Sequence, residues 1–323
     1  MLTVIFATRN RAPILRDVLT AFCNLQAPES GWKLVVVDNG STDETQSVLS
    51  SFADRLPLRM AFERRIGKNH ALNMGLHLAE GDLIVFTDDD SFPNPDWLVH
   101  LRRVADSQPD FSIFGGPVVP RWQVPPPPWI SWVEAGPAFG LNSAGIRGGP
   151  IPRGPLEESV REILGPNMAL RSAVLQRGYH FDVSIGPRGN SYAMGSESEL
   201  LLRLTQDGEK AWFTREAVVA HLIRKEQMDE KWILKRGVRF GRGMQRLFPV
   251  KLWGPVPRHL FRDVPKELIL IAVAFVTRRH DKLFQARWRL NMLRGKAMES
   301  WTRTRLKNAR SGSCDSQPSF KIN

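Results

Sequence analysis

Strand-like apolar runs alternate with helix-like segments in the first third of the chain. Leu2–Thr8, Leu34–Val37, Leu58–Glu63 and Leu83–Phe86 are short, rich in apolar residues and followed by polar or glycine-containing turns. Such runs are typical of buried strands. Between them, apolar side chains recur at helical spacing, as from Ile14 to Phe22. Strands that alternate with helices predict an α/β fold with a mostly parallel, doubly wound sheet.

The pattern is less regular in the middle of the chain. Ile113–Val119 predicts one more strand, whereas residues 120–165 are rich in Pro, Gly and Trp and predict a long loop without a regular core. Regularity returns at Gly165–Arg171, and a helix is predicted to begin at Ser196. Strands are predicted at Ala211–Thr214 and Val218–Ile223.

Charge divides the chain into an acidic and a basic part. Residues 1–223 hold 21 Lys and Arg against 25 Asp and Glu, a net charge of −4. Residues 224–323 hold 24 against 8, a net charge of +16, in a pattern that is helical and rich in aromatic residues. We therefore predict a folded domain over 1–223, a basic helical extension over 224–310 and a disordered tail over 311–323. The basic part points to an anionic partner.

Cysteine usage and the N-terminus indicate a cytoplasmic protein. Two cysteines, Cys23 and Cys314, offer neither a disulfide framework nor zinc-ligand spacing, which suits a reducing compartment. The chain starts in a strand-like run without the basic region or cleavage pattern of a signal peptide. The apolar run Leu268–Thr277 is too short for a membrane span, which needs about 20 residues.

Three consecutive carboxylates follow the fourth predicted strand. Asp88, Asp89 and Asp90 come directly after Phe86 and Thr87. This position is the carboxyl edge of the sheet, where ligands bind in open α/β folds. Adjacent carboxylates repel one another, and a hard divalent cation such as Mg²⁺ or Mn²⁺ relieves the repulsion and bridges to phosphates. A polar turn without a ligand is the other interpretation of these acids alone.

Five motifs together resemble family 2 glycosyltransferases of the GT-A fold, in particular bacterial enzymes of the polysaccharide type. They are Thr8–Arg11, Val37–Asp43, Gly67–Asn73, Asp88–Asp90 and Gly195–Leu204, in the order and at the sheet-edge positions of that family. The resemblance covers residues 1–223, and the remainder is similar to the helical tails of bacterial members. It implies a Rossmann-like sheet with a nucleotide-sugar-binding half over 1–119 and an acceptor and catalytic half over 120–223.

The resemblance also implies a reaction and a set of site residues. An inverting, metal-dependent enzyme would transfer a sugar from a nucleoside diphosphate sugar, most commonly a UDP-sugar, to a glycan or lipid-linked acceptor in surface polysaccharide or glycolipid synthesis. The metal ligands would be Asp88, Asp90 and His221, the base would be Glu197, and the donor would be bound by Thr8, Arg11, Asp38, Lys68, Asp88 and Asp89.

Several of these roles have alternatives. The family usually has Glu-Asp where this chain has Ser196-Glu197, so Glu199 is a rival base, although its spacing to Arg203 favours an ion pair. Asp38 could stabilise a turn, Lys68 could be a solvated residue, and His221 could be a structural strand residue. The tryptophans of the long loop could pack or could stack on a sugar.

Two other functions are alternatives to this one. A nucleotidyltransferase of related fold would be expected to have a glycine-rich phosphate loop after the first strand, and Thr8–Pro13 contains no glycine. A nucleic-acid binder would use the basic part, but nothing there resembles a nucleic-acid-binding module. We therefore expect no nucleic-acid partner.

The basic part predicts contact with an anionic membrane surface. Leu268–Val276 is apolar and is flanked by Lys266, Arg278 and Arg279, with aromatic residues nearby. This composition is typical of a helix that lies in a membrane interface. The prediction is peripheral association at the inner face of the plasma membrane through residues 225–310. The alternative is an ordinary buried helix.

Overall fold

The computed structural model describes residues 1–142, 148–151, 162–189 and 192–312. The chain forms two compact units, residues 1–229 and 230–323. The predicted domain 1–223, with both of its predicted halves, falls in the first unit. Of the predicted tail 311–323, the first two residues belong to the last helix and the rest lies outside the described residues.

The first unit contains eleven strands and seven α-helices among its described residues. The strands are β1 (Leu2–Thr8), β2 (Trp32–Asp38), β3 (Leu58–Phe62), β4 (Leu83–Phe86), β5 (Ser91–Pro93), β6 (Ile113–Gly115), β7 (Val118–Trp122), β8 (Gly149–Pro150), β9 (Met168–Arg171), β10 (Ala211–Phe213) and β11 (Val219–Ile223). The helices are α1 (Ala12–Cys23), α2 (Thr45–Ser50), α3 (Lys68–His77), α4 (Trp97–Ser107), α5 (Ala135–Phe139), α6 (Ser172–Gln176) and α7 (Ser196–Gln206).

The main sheet has the order β3-β2-β1-β4-β9-β6-β10-β8. Strands β3, β2, β1 and β4 are parallel, β9 pairs antiparallel with both β4 and β6, and β10 is parallel to β6. The predicted α/β fold with a mostly parallel sheet is therefore confirmed. Consecutive residues of β1 alternate between the two faces, so Phe6 packs with Phe22 and Trp97 on one side, and Ile5 belongs to the core on the other side.

A second, three-stranded sheet has the order β5-β11-β7. The single strand predicted at Ile113–Val119 is wrong, because the chain leaves the main sheet after Gly115 and enters the second sheet at Val118. Gly116 lies at this switch, where a Cβ atom would be 2.2 Å from the backbone oxygen of Ala217. The backbone approach excludes a side chain, and the resulting bend pairs β7 with β11.

The long loop is partly packed, contrary to expectation. Among its described residues, Ala138 and Phe139 are fully buried, and Ile163 is buried in the core between the sheet and α7. Trp122 contacts the Phe139 ring edge-on, with ring centroids 5.8 Å apart. These buried positions were not predicted, because the high proline and glycine content of the segment indicated only a loop.

The second unit consists of α8 (Glu230–Leu247), β12 (Leu252–Trp253), β13 (Val256–Pro257), α9 (Leu260–Val276) and α10 (His280–Gly312). Helices α8 and α10 touch backbone to backbone, since a Cβ on Gly241 would lie 2.0 Å from the Met292 oxygen and one on Gly295 would lie 2.1 Å from the Val238 oxygen. Across the part of the chain that the structure describes, no helix has both the length and the apolar composition to cross a bilayer.

Candidate active site

The loops after β1 and β2 are joined by side-chain hydrogen bonds. The Asn10 carboxamide oxygen accepts from the Thr42 backbone N–H at 2.8 Å, and the Ser41 hydroxyl accepts from the Asn10 N–H at 2.9 Å. Asp43 accepts from the Ala12 N–H at the start of α1 at 3.2 Å. The first two sequence motifs therefore lie side by side at the carboxyl edge of the sheet.

Asp38 ends β2 and is buried with both carboxylate oxygens engaged. Oδ1 accepts from the Ser41 N–H and Oδ2 accepts from the Gln46 side chain, both at 2.9 Å. Asp38 therefore stabilises the turn that follows β2, as one of its two suggested roles requires. The neighbouring Asn39 was not singled out by sequence reasoning, yet it donates to the Glu63 and Arg65 carbonyls and accepts from the Gly67 N–H at 2.7 Å.

Lys68 joins three parts of the site from the first turn of α3. Its ammonium donates to Asp88 Oδ1 at 2.6 Å and to Glu197 Oε1 at 2.7 Å. Although burial would lower the pKa of Lys68, the two carboxylates raise it above its ordinary value. Lys68 therefore stays charged, and its partners at this helix start are two carboxylates of the chain itself.

The three consecutive acids have different surroundings. Burial and the charge of Asp90 raise the pKa of Asp89 to about 6, and Arg11 and the Thr8 hydroxyl oppose this shift. Burial would also raise the pKa of Asp90, but His221, Arg11 and Arg224 hold it well below its ordinary value. Asp90 therefore stays ionised in the folded protein.

The second sheet brings His221 to Asp90. The β5–β11 ladder pairs His221 with Ser91, and His221 Nε2 lies 3.1 Å from Asp90 Oδ1. His221 Nδ1 lies 2.9 Å from the Phe139 carbonyl, which can only accept, so Nδ1 carries a proton. In a neutral ring, the Nε2 lone pair then faces a carboxylate. Two negative or electron-rich groups facing each other are unfavourable unless a cation lies between them. That cation can be a proton on Nε2, which makes the ring charged, or a metal ion. A histidine whose other ring nitrogen donates to a carbonyl is also a common metal ligand.

Asp88, Asp90 and His221 fit a divalent cation. One ligand atom from each lies within 4.8 Å of the others, and the set of two carboxylates and one imidazole suits Mn²⁺ or Mg²⁺. These are the three residues named as metal ligands from the sequence. The Arg11 guanidinium lies 3.7 Å from Asp89 and 3.8 Å from Asp90. Asp90 therefore has a basic side chain beside it as well as the candidate metal position.

The two acids of α7 differ in their partners. Glu197 points to Lys68, whereas Glu199 forms a two-pronged ion pair with Arg203, at 2.7 Å from Nε and 2.8 Å from the terminal nitrogen. The predicted Glu199–Arg203 pair is present. Glu197 is thus the acid of this helix that lies beside Asp88 and Lys68.

Sequence reasoning missed two residues that organise the site. Arg224, directly after β11, contacts Asp90 at 3.3 Å. Asn167 is fully buried, accepts from the Trp97 indole at 2.9 Å and donates to the carbonyls of Pro117 and Ala217, which fixes the switch between the sheets. The position of Arg224 at a strand end was a usable signal, whereas Asn167 carried none.

Residues 3–149 match the family described as Glycosyl transferase family 2. This segment belongs to that family. The predicted family is confirmed for this segment, which contains Arg11, Lys68 and the three consecutive acids of the site.

Curated relatives match about 100 residues of this chain. Beta-monoglucosyldiacylglycerol synthase of Nostoc sp. is 30% identical over 103 residues, which are 31% of this chain and 22% of the relative. Validoxylamine A glucosyltransferase of Streptomyces hygroscopicus subsp. jinggangensis is 32% identical over 100 residues, 30% of this chain and 24% of the relative. The match thus spans about a quarter or less of these relatives' length.

Solved structures show the GT-A fold. The mannosyltransferase PcManGT from Pyrobaculum calidifontis, in complex with GDP-Man and Mn²⁺, is similar with a TM-score of 0.62 at 18% identity over 95% of this chain and 87% of that one. TarS 1–349 of S. aureus, in complex with UDP-GlcNAc, gives 0.55 at 17% identity over 96% and 92%. The likeness at these identities concerns the fold.

Proposed function

We propose that the protein is an inverting, metal-dependent glycosyltransferase that uses a nucleoside diphosphate sugar, with a UDP-sugar as the favoured donor. The observation that carries the proposal is the meeting of Asp88, Asp90 and His221 in one place, beside Lys68 and Glu197. The family match supports the reaction class. Similar structures were solved with UDP-GlcNAc and with GDP-Man, which supports a sugar nucleotide but leaves two bases to be compared.

Asp88, Asp90 and His221 would hold Mg²⁺ or Mn²⁺. When bound, the ion would offset the negative charge of the departing diphosphate. Arg11 and Arg224 lie at Asp90, and Lys68 lies at Asp88, so these three cations would bind the diphosphate oxygens at the same edge of the sheet. Thr8, Asp38 and Asp89 would complete the donor site.

Glu197 is the proposed base. The acceptor oxygen forms a bond to the anomeric carbon while the bond from that carbon to the diphosphate oxygen breaks. The hydroxyl proton passes to the Glu197 carboxylate, and displacement from the opposite side inverts the configuration. The contact with Lys68 holds the Glu197 carboxylate close to Asp88, which binds the same ammonium group.

The proposed acceptor is a hydroxyl group of a glycan or a lipid-linked sugar. One similar relative is named for a glucosyldiacylglycerol product and another, TarS, for poly(ribitol-phosphate). These names support acceptors of surface polysaccharide or glycolipid synthesis. The proposed place of work is the cytoplasmic face of the plasma membrane.

The test is a thermal-shift comparison of UDP, GDP, ADP and the corresponding triphosphates with and without Mn²⁺, followed by sugar-nucleotide turnover. We expect one diphosphate to stabilise the protein only with the metal, and its sugar derivative to release that diphosphate. Stabilisation by a nucleoside triphosphate with release of pyrophosphate from a sugar phosphate would instead establish a nucleotidyltransferase. The absence of any metal-dependent nucleotide effect would contradict both.

A further inference from the structure

The second unit exposes an apolar face on α9. Seven large apolar side chains of this helix are more than a third exposed, and the most exposed are Val276 (79%), Phe275 (73%) and Ile269 (63%). The others are Phe261, Leu268, Leu270 and Val273. Exposed apolar patches that are rimmed by polar residues mark sites of protein or membrane interaction. The face therefore needs an occupant.

Helix α9 packs against the rest of its unit through a narrow stripe of buried residues. Its buried residues, Leu260, Glu267 and Ala274, are spaced by seven and so lie on one stripe of the helix. Glu267 accepts from Arg289 Nε at 3.0 Å. Ile269 and Val276 lie on the opposite side, since each residue advances about 100° around the axis. The apolar face thus points away from the packing contact.

Cationic and aromatic residues border this face. Lys266 lies on the helix, and Arg278 follows its C-terminal end; both are exposed. Trp253, on the adjacent hairpin of β12 and β13, is 69% exposed, and its ring lies 5.3 Å from that of Phe261. Residues 230–323 carry 22 Lys and Arg against 6 Asp and Glu, a net charge of +16. Apolar residues bordered by Trp, Lys and Arg match the boundary between acyl chains and anionic headgroups.

The geometry points to α9 lying in the plane of an anionic membrane, with Ile269, Phe275 and Val276 toward the acyl chains and the bordering cations at the headgroups. The helix has 17 residues and includes Asp263, Pro265 and Glu267, which suits the interface rather than a crossing. A second copy of the chain is a poorer occupant, because pairing two such faces would bring two strongly positive units together. This inference stands independently of the donor, the acceptor and the metal.

The test is co-sedimentation of the full chain with phosphatidylcholine vesicles, with and without phosphatidylglycerol, at low and high salt. The wild-type protein should bind the anionic vesicles at low salt and be released at high salt. The Ile269→Glu/Val276→Glu variant should lose about tenfold or more in vesicle partitioning, because two apolar side chains become charged. The matched control is Met60→Glu, an exposed apolar residue of β3 (46%), which should bind as the wild type does.

Two results would overturn the inference. One is equal recovery of the wild-type protein in the supernatant with both vesicle types at low salt. The other is a wild-type dimer that the double variant splits, without vesicle binding, which would assign the face to a second copy. Circular dichroism checks the fold of the double variant. The variant Lys266→Glu/Arg278→Glu, which changes only exposed side chains, provides an independent arm and should lose the preference for anionic vesicles.

Discussion

Three basic side chains of the site, those of His221, Arg224 and Arg11, lie close to the Asp90 carboxylate. Oδ1 faces His221 Nε2, and Oδ2 lies 3.3 Å from Arg224 and 3.8 Å from Arg11. Because the Nδ1 proton of His221 is committed to the Phe139 carbonyl, the ring presents Nε2 to Asp90. The pair can therefore share a cation in either of two ways, as a proton on the ring or as a metal ion.

The first prediction concerns Asp90→Asn. The substitution keeps the shape of the side chain and removes the charge that Asp88 and His221 cannot replace. At UDP concentrations about 100 times the dissociation constant, metal-dependent binding stabilises a protein by about 2.7 kcal/mol. We expect this Mn²⁺-dependent gain in melting temperature to disappear in the variant.

Asp110→Asn, at an exposed position after α4, is the control and should keep the full gain. An Asp90→Asn protein that is folded and still stabilised by UDP with Mn²⁺ would place the metal elsewhere.

The second prediction separates the two acids of α7. Glu197→Gln should retain metal-dependent UDP binding and lose about 10²-fold or more in turnover, because a carboxamide cannot accept the acceptor's proton. Glu199→Gln should keep most of its turnover, since its observed role is the pair with Arg203. Turnover is measured as diphosphate release at saturating donor. Loss of activity in Glu199→Gln, with Glu197→Gln active, would reverse the assignment.

At the scale of elements, the third prediction concerns the switch between the two sheets. Gly116→Ala would place a Cβ 2.2 Å from the Ala217 oxygen and 2.7 Å from the Thr214 oxygen, which are backbone atoms with little freedom to move. We expect a loss of about 1–3 kcal/mol in the free energy of unfolding, as for other overpacked positions. Gly148→Ala meets only the Arg215 side chain at 3.4 Å and then the Phe213 oxygen at 3.7 Å. Its free energy of unfolding, measured in urea, should change far less.

The elements that the sequence predicted well are those with a clear period. The strands β1, β2 and β4 are buried along most of their length, and their apolar runs predict this burial. The break between β6 and β7 coincides with Gly115, Gly116 and Pro117, a turn signal that the prediction of a single strand passed over. The pairing of β7 with β11 was not predictable, because it depends on how closely the distant Ala217 backbone approaches Gly116. The same limit applies to Asn167, whose partners are distant in the chain.

The fourth prediction is a pH dependence at the end of β3. Hydrogen bonds from the Arg65 side chain lower the pKa of Glu63 from 4.5 to about 2, against an opposing effect of burial. Because the folded-state pKa is below the unfolded one, ionised Glu63 stabilises the fold above about pH 4.5, and this contribution is lost as the pH falls toward 2.

Glu63→Gln should therefore show a flatter fall of the unfolding free energy over this range, measured by urea titrations at successive pH values. Glu29→Gln, at an exposed position, should follow the wild-type profile. Parallel profiles for all three proteins would contradict the assignment.

At the scale of the whole molecule, the chain holds two units with separate internal packing. The fifth prediction uses this division. Gly241→Ala would force α8 and α10 apart, because a Cβ at this position would lie 2.0 Å from the Met292 oxygen. Amide hydrogen exchange should accelerate in residues 230–306 more than in residues 1–142. Gly116→Ala should give the reverse pattern, and equal acceleration in both ranges for either variant would contradict independent packing.

The register of one short ladder has a consequence for how the gene can vary. His221 faces Asp90 because β11 pairs with the three-residue strand β5 at Ser91↔His221. The turn before β11 has no slack, since the Thr214 N–H bonds Gly115 at 2.8 Å and the Val219 N–H bonds Pro117 at 3.0 Å. A codon inserted or deleted between Thr214 and Val219 would shift the ladder by one residue and turn the imidazole to the opposite face of the sheet. We therefore expect substitutions in this turn to be tolerated better than any change in its length.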